Sequence, residues 1–325
     1  MKRIICLSKD ILRDSFTASV EMFKVMIPVI IIVKLLQEFG LISYLAWPLK
    51  PLMGLVGLPA EMGLVWATAI VNNIYAGLIV FASIAGDFPL TQAQATILAC
   101  LMLVAHGLPL ENSIARKAGA RFMFQSFSRL AGAFTLGWLL NIIYSTTNTL
   151  QAPAMILFKI DPQAANKPLT TWALDQAMNL LSIFVIILAL IIMMRILQAI
   201  RVIDLMNAVL RPILKLIGIG PKASAITVIG LTMGLSYGGG LIINESKSGN
   251  VSKEDIFYSL TLMGLCHSLI EDTLLLALIG GHFSGIFWGR LIFAVAALAV
   301  VVQVVRRLPD SFKNKYLWVA KQPAQ

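Results

Sequence analysis

Long apolar segments alternate with short polar breaks along the whole chain. Segments 16–36 and 174–194 are each close to the roughly 20 residues that a helix needs to cross the hydrocarbon of a bilayer. A polar stripe at spacings of three and four follows each of them and predicts a helix that lies along the membrane surface. The pattern recurs at an offset of 161 residues, which aligns His106 with His267. Two related helical halves are therefore predicted.

A third apolar segment in each half is interrupted near its middle. Segment 61–85 is broken by the pair Asn72 and Asn73, and segment 223–243 is broken by Ser-Tyr-Gly-Gly-Gly at 236–240. Paired asparagines need polar partners at that depth, and consecutive glycines are unfavourable in a helix. We expect a re-entrant hairpin whose tip lies inside the protein. A broken helix that crosses the bilayer is the alternative.

The next segment of each half begins with a helix-capping signal. Thr91 with Gln94, and Ser252 with Asp255, have the spacing at which an N-cap side chain accepts a backbone hydrogen bond. We expect each signal to open a helix of about 27 residues, long enough to span a bilayer, with a histidine near its centre. A further span closes each half, and these closing spans are expected at 122–144 and 286–305.

The composition places the chain in a membrane. Hydrophobic residues make up 58% of its 325 residues, charged residues make up 13%, and the mean hydropathy is +0.84. A soluble core of this size could not bury that much apolar surface. The net charge of +10 indicates Lys and Arg held on the cytoplasmic side rather than a nucleic-acid partner. The three cysteines are isolated, so we expect neither a disulfide framework nor a cysteine metal motif. No cofactor is expected.

Basic residues mark opposite faces in the two halves. Segment 111–121 contains Arg116, Lys117 and Arg121, whereas its counterpart 271–287 contains neither Lys nor Arg. The positive-inside rule then predicts two halves of inverted topology, each with three spans, one interfacial helix and one hairpin. The expected organisation is a first repeat with a cytoplasmic N-terminus (1–145), a periplasmic linker (146–171), a second repeat (172–308) and a cytoplasmic basic tail (309–325).

Both capped helices carry a histidine followed by acidic residues. His106 precedes Glu111, and His267 precedes Glu271 and Asp272. Ionisable groups at membrane depth indicate a substrate or proton pathway, unless they pair with one another and lock the two halves together. Both interpretations stay open at this point.

An arginine near the start of each closing span has a ready partner. Arg129 and Glu111 lie nearly equidistant from the turn between their helices, and Arg290 and Glu271 lie nearly equidistant from theirs. Antiparallel packing would bring each carboxylate level with its arginine, so we predict structural ion pairs. The groups expected to pair or to handle protons are Glu111, Glu271, Asp272, Arg129 and Arg290.

The centres of the interrupted segments offer amide, hydroxyl and exposed backbone groups to a polar solute. Transporter sites are typically built from such segments where two repeats meet. Glycines that permit close helix packing, and asparagines that cap broken helices, are the structural alternative. The expected solute-binding residues are Asn72, Asn73, Tyr75, His106, Ser236, Tyr237, Gly239 and His267.

Several of these features together resemble a known family. They are the glycine–proline entries Gly57-Leu-Pro59 and Gly218-Ile-Gly-Pro221, the interrupted segments, and the capped helices with a central histidine and acidic residues. The pattern resembles the nucleoside-recognition or Gate domain. That domain occurs in concentrative nucleoside transporters, in the membrane part of the ferrous iron transporter FeoB and in spore maturation proteins. The resemblance implies re-entrant hairpins and solute passage.

We expect a multi-pass protein of a bacterial or archaeal cytoplasmic (inner) membrane that carries a small polar solute, nucleoside-like or other, through a midplane site. Protons are the candidate coupling ion, because two histidines lie at mid-helix. One alternative is passage of a divalent transition-metal ion, with histidines and carboxylates as ligands. Another is a membrane scaffold or lipid-handling protein that transports nothing. An enzyme is not expected, since no nucleophile, base and orienting group occur together. The expected partners are the bilayer, the solute and, as a candidate, a second copy of the chain.

Overall fold

The computed structural model describes residues 2–157 and 168–319, and within them the chain is helical, with two isolated β-bridges and no strand. The helices are α1 (Lys2–Glu38), α2 (Ile42–Ala46), α3 (Lys50–Leu55), α4 (Met62–Val71), α5 (Ile74–Ile84), α6 (Gln92–Val104), α7 (Leu108–Lys117), α8 (Phe122–Thr146), α9 (Leu169–Ala199), α10 (Val202–Ile217), α11 (Pro221–Met233), α12 (Leu235–Ser248), α13 (Lys253–Cys266), α14 (Glu271–Ala277), α15 (Arg290–Arg307) and α16 (Asp310–Tyr316).

Helices long and apolar enough to cross a bilayer confirm the predicted class. The described residues contain five such segments, which are Lys9–Glu38, Gln92–Lys117, Leu169–Ala199, Lys253–Ala277 and Ser284–Arg307. The protein is therefore an all-α, multi-pass membrane protein. The predicted span 122–144 forms α8, whose 25 residues reach about 37 Å. It is not among the five, because Gln125, Ser128 and Arg129 lower its hydropathy, and its crossing stays a prediction.

The two capped helices form the centre of the molecule. In the apolar windows of Gln92–Lys117 and Lys253–Ala277, 83% and 72% of the residues are buried inside the protein, against 22% for Lys9–Glu38 and 17% for Leu169–Ala199. The long helices α1 and α9 consequently present most of their apolar surface outward, where lipid would cover it. The helices that lead to the histidines therefore lie mostly inside the protein.

Both interrupted segments fold back on themselves as helical hairpins, but the expected position of the second break, 236–240, was wrong. The break is at Gly234, whose φ of 91° ends a right-handed helix, and 236–240 lie within α12. A Cβ on Gly77 of α5 would lie 2.9 Å from Cβ of Ala69 of α4, and a Cβ on Gly238 would lie 2.4 Å from Cα of Gly230. In each pair the residues are equidistant from the break, so the two arms are antiparallel. The arms have 10 to 14 residues, about 15–21 Å, shorter than the roughly 30 Å of hydrocarbon.

The capping signals were predicted correctly, but the helices that they open are not continuous. Thr91 forms a capping box with Gln94, and the side chain of Ser252 accepts from the backbone of Asp255. The expectation of unbroken helices of about 27 residues was wrong. The first helix stops at Val104 and the second at Cys266, directly before each histidine.

Backbone contacts to the hairpins hold these breaks open. Gly107 and Ser268 adopt positive φ values of 56° and 45°, which ends a right-handed helix. The N–H of Gly107 donates to the carbonyl of Ala69 at 2.8 Å, and the N–H of Leu269 donates to that of Leu231 at 2.7 Å. The breaks of the two hairpins and the breaks after Val104 and Cys266 therefore all lie near the two histidines.

One end of the molecule, which we call the basic end, brings together segments predicted to be cytoplasmic. The backbone of Ala120, in the loop after α7, forms a bridge with Trp318. Lys313 Nζ lies 3.7 Å from Oε1 of Glu254, at the start of α13. The α7–α8 loop, the start of α13 and the C-terminal segment thus lie on the same side of the molecule.

The opposite end, which we call the linker end, holds the described part of the predicted periplasmic linker. Thr91, before α6, forms a bridge with Pro153, and the N–H of Leu157 donates to the carbonyl of Leu278, after α14, at 2.9 Å. The path α6–α7 thus runs from the linker end to the basic end, and α13–α14 runs the other way. Inverted halves require this arrangement, and their orientation in a membrane stays a prediction, as do the domain boundaries; 158–167 and 320–325 lie outside the described residues.

Labelling of single introduced thiols checks the orientation. We expect Ala152→Cys, at the linker end, to react with a membrane-impermeant maleimide in intact cells, and Lys315→Cys, at the basic end, to react only after permeabilisation, because the two ends face opposite sides of the bilayer. Both variants carry Cys6→Ser, since Cys100 and Cys266 are already buried. Equal labelling of the two positions in intact cells contradicts the predicted topology.

A pair of glycine variants checks the hairpin packing. Gly238→Ala places a methyl group against the backbone of Gly230, so we expect a loss of about 1–3 kcal/mol of stability. Gly240→Ala is the matched control, because nothing lies within 4 Å of its Cβ position, and it should gain up to about 1 kcal/mol from helix propensity. The measurement is the thermal unfolding midpoint of the detergent-solubilised protein. Equal midpoints would rule out the close approach.

Candidate functional site

The two histidines of the repeat meet at the centre of the protein. His106 and His267 are both buried, and their Nε2 atoms lie 3.2 Å apart. Nδ1 of His106 lies 2.8 Å from the carbonyl oxygen of Met102, and Nδ1 of His267 lies 2.8 Å from that of Met263. Each ring is therefore oriented by a backbone carbonyl one turn earlier in its own helix, and this contact is the same for both histidines.

These carbonyl contacts decide where the hydrogens are. A carbonyl oxygen only accepts hydrogen bonds, so Nδ1 carries the hydrogen in both rings. When the rings are neutral, each Nε2 then presents a lone pair to the other. The carboxylate oxygen Oε1 of Glu111 lies 3.3 Å from each Nε2 and adds further lone pairs. Three hydrogen-bond acceptors thus face one another, and none of them has a hydrogen to donate. A cation bound between them would interact favourably with all three.

Arg129 holds Glu111 and the helix break in place. Its side chain is fully buried, and its Nη1 forms an ion pair with Oε2 of Glu111. The predicted pair of Arg129 and Glu111 is confirmed. Nε donates to the carbonyl of Val104 and Nη2 donates to that of His106, both at 2.9 Å. Carbonyls at a helix C-terminus lack intrahelical partners, and a guanidinium satisfies them well.

The predicted pair of Arg290 with Glu271 is wrong. Nη2 of Arg290 instead donates to Oγ1 of Thr273 at 3.2 Å, and among the described residues Glu271 has no ion-pair partner within 4 Å. The offset of 161 residues places Asp272, not Glu271, opposite Glu111. Oδ2 of Asp272 lies 3.9 Å from Nε2 of His106. Asp272 is thus the carboxylate that the second half directs toward the histidines.

The asparagines of the first hairpin have different surroundings. Oδ1 of Asn73 accepts from the N–H of Ala76 at 2.9 Å and caps α5, which is the structural role weighed for it. Asn72 is exposed, and Tyr75 lies close enough to Glu271 and Asp272 to interact with them electrostatically. Contacts of these residues with a solute stay predictions.

In the second hairpin, the surroundings of only one predicted solute-binding residue, Gly239, are described. A Cβ on Gly239 would lie 2.5 Å from Cγ2 of Ile114, so this glycine lets α12 pack closely against α7. Ser236 and Tyr237 lie in the first turn of α12, and their side chains lie outside the described residues. Their predicted role in solute binding is not tested.

The three acceptor atoms form a nearly equilateral triangle with sides of 3.2, 3.3 and 3.3 Å. Ligand atoms about 2.0–2.1 Å from a tetrahedral metal ion are about 3.3–3.4 Å apart, so one face of such an ion fits this triangle. His106, His267 and Glu111 could hold a metal ion in this way. The Nδ1 contacts to carbonyls, and Arg129 on the second oxygen of Glu111, are outer-shell partners of the kind that orient metal ligands.

The charges around the triangle also favour a cation. Glu111, Asp272 and the neighbouring Glu271 contribute three carboxylates, while Arg129 and Arg290 contribute two guanidinium groups. The acidic groups therefore outnumber the fixed cations beside the triangle. A metal ion or a proton can bind between such groups, whereas an anion would be repelled by those that are ionised.

A relative of known sequence supports the membrane assignment. The chain is 28% identical over 258 residues to the uncharacterized membrane protein YvoD of Bacillus subtilis (strain 168), and the match covers 79% of this chain and 81% of that protein. No protein-family model and no solved structure matches the chain. The resemblance to the Gate domain therefore stays a prediction.

Removal of Arg129 tests the arrangement of the site. We expect Arg129→Met to lose about 3–5 kcal/mol of stability, because Glu111 would remain buried without its counter-ion. Arg116→Met, on an exposed face of α7, is the control and should change stability little. Thermal unfolding of the purified protein measures both. A small effect at position 129 would show that Glu111 does not depend on the ion pair.

Proposed function

We propose that this protein is a membrane transporter whose central site binds a divalent transition-metal ion as its cargo. The observation that carries the proposal is the convergence of His106 Nε2, His267 Nε2 and Glu111 Oε1 at mutual distances of 3.2–3.3 Å. Two imidazole nitrogens with one carboxylate are a ligand set that Zn²⁺ and Fe²⁺ favour.

The position of the site supports transport rather than a purely structural metal. The ligands lie at interruptions of the two most buried helices, next to the tips of both hairpins. Interrupted helices that meet between two repeats are the usual place for an ion or substrate site in a transporter. Three ligands leave one tetrahedral position for water or another group, as in sites that exchange what they bind.

A second candidate is proton-coupled transport of a small polar solute, including the nucleoside-like solutes that the Gate resemblance implies. One observation favours it: the Nε2 atoms of His106 and His267 lie 3.2 Å apart, close enough for the two rings to share a single proton. In this case the histidines carry the coupling ion, and the hairpin centres provide the solute contacts.

Metal titration of histidine variants tests the first proposal. We expect the purified protein to bind Zn²⁺, and to give Co²⁺ the visible absorption of a tetrahedral complex. His106→Ala and His267→Ala should each weaken Zn²⁺ binding by about 100-fold or more, since loss of a ligand exceeds the 10–100-fold typical of outer-shell changes. His282→Ala is the control, because this third histidine lies in the loop after α14 and its ring bonds Ser284.

Transport in proteoliposomes separates the two candidates. Accumulation of Zn²⁺ by the wild type and its loss in both alanine variants, with His282→Ala unchanged, supports metal transport. The second candidate is supported instead if the wild-type protein binds and accumulates no divalent metal but changes the pH of the lumen. That pH change should be lost in both alanine variants.

A further inference from the structure

Arg290 is a fully buried cation with unused hydrogen-bond donors. Its Nη2 donates to Thr273, but Nε and Nη1 have no nitrogen or oxygen partner. The thiol of Cys266 is close by, and sulfur is a weak acceptor. Because a guanidinium keeps its charge in a protein, such donors need an acceptor in at least one functional state.

The first half of the chain shows what Arg290 is missing. Arg129 aligns with Arg290 at the repeat offset of 161 residues, and all three of its nitrogens donate to acceptors of the protein. One of these acceptors is Glu111, whose two oxygens serve different partners. Oε2 pairs with Arg129, while Oε1 faces both histidines. Glu111 thus bridges the guanidinium and the metal ligands at the same time.

Asp272 occupies the position of Glu111 in the second half, but its side chain is one methylene group shorter. It lies near the histidines, with Oδ2 3.9 Å from Nε2 of His106, and it feels Arg290 electrostatically without forming an ion pair within 4 Å. With the shorter side chain, this carboxylate can contact either the histidines or the guanidinium, but not both at the same time. In the structure it lies on the side of His106.

We propose that Asp272 alternates between two partners: it is the fourth ligand of the bound metal ion, and it pairs with Arg290 when the site is empty. This inference rests on the proposed metal transport. The acceptor that Arg290 needs is assigned to Asp272 rather than to an external anion, because three acidic groups, Glu111, Glu271 and Asp272, already lie at the site.

The exchange would connect cargo binding to the packing of two helices. Asp272 lies in the first turn of α14, and Arg290 is the first residue of α15. When Asp272 turns to the metal ion, the ion pair that joins α14 to α15 opens. Binding of the cargo thereby weakens one helix contact within the second half, while the equivalent contact of the first half, Glu111 with Arg129, stays closed. Such a difference between states is what a ligand needs to shift a conformational equilibrium.

A double-mutant cycle on the full-length purified protein tests the exchange, with Zn²⁺ affinity from competition titration as the readout. Asp272→Asn removes the fourth ligand. Because Arg290 would hold most of Asp272 in the empty protein, the loss should be about tenfold smaller than that of a histidine ligand, which leaves binding about tenfold weaker or more. Arg290→Met removes the competitor for Asp272. It should tighten binding about tenfold if the Arg290-paired form makes up roughly 90% of the empty protein.

The double variant Asp272→Asn with Arg290→Met provides the decisive comparison. Without the carboxylate the arginine has nothing to compete for, so Arg290→Met should no longer tighten binding in that background. An equal effect of Arg290→Met in both backgrounds, or no effect in either, overturns the exchange while leaving metal binding intact. Absence of Zn²⁺ binding to the wild type overturns the proposed function itself.

A second variant keeps the test valid should Arg290→Met fold poorly. Asp272→Glu restores the side-chain length of Glu111, so it should bridge Arg290 and the metal ion together. We expect this variant to raise the unfolding midpoint of the metal-free protein and to bind Zn²⁺ but not to transport it, because α14 and α15 then stay joined. Full Zn²⁺ transport by Asp272→Glu overturns the proposal.

Discussion

The ion pair of Arg129 with Glu111 fixes the centre of the molecule. A buried guanidinium keeps its charge, so it requires acceptors along each of its donor directions. Arg129 finds two of them in the carbonyls of Val104 and His106, at the C-terminal end of α6. It finds the third in Glu111, whose other oxygen is thereby directed at the histidines. The break in the helix, the position of the carboxylate and the composition of the site are thus parts of one arrangement.

Helix interruptions in a membrane protein are tolerated only where other protein groups satisfy the freed backbone. The hairpins do this here, since the N–H groups of Gly107 and Leu269 donate to carbonyls of α4 and α11. The same contacts bring the hairpin tips next to the histidines. The backbone contacts that allow the helices to break therefore also bring the polar groups together at the centre. The surrounding helices turn their apolar surface outward.

Much of this architecture follows from local features of the sequence. Apolar length predicted the membrane helices, N-cap spacing predicted the starts at Thr91 and Ser252, and the interruption at Asn72 and Asn73 predicted a hairpin. The pairing of Arg129 with Glu111 could be predicted as well, because two antiparallel helices joined by a short turn fix which of their residues are level. Each of these predictions depends on residues that are close along the chain.

The sequence by itself thus determined the helical membrane class, the starts of the two capped helices and one ion pair, because periodicity and turn chemistry act over short distances. Only the tertiary structure decided that the helices stop at His106 and His267, since contacts from the hairpins hold those breaks open. It alone showed that Asp272 rather than Glu271 lies beside the histidines. It also decided that two rings 161 residues apart face each other through their Nε2 atoms, because the packing of segments distant in the chain sets that distance and no local sequence pattern predicts it.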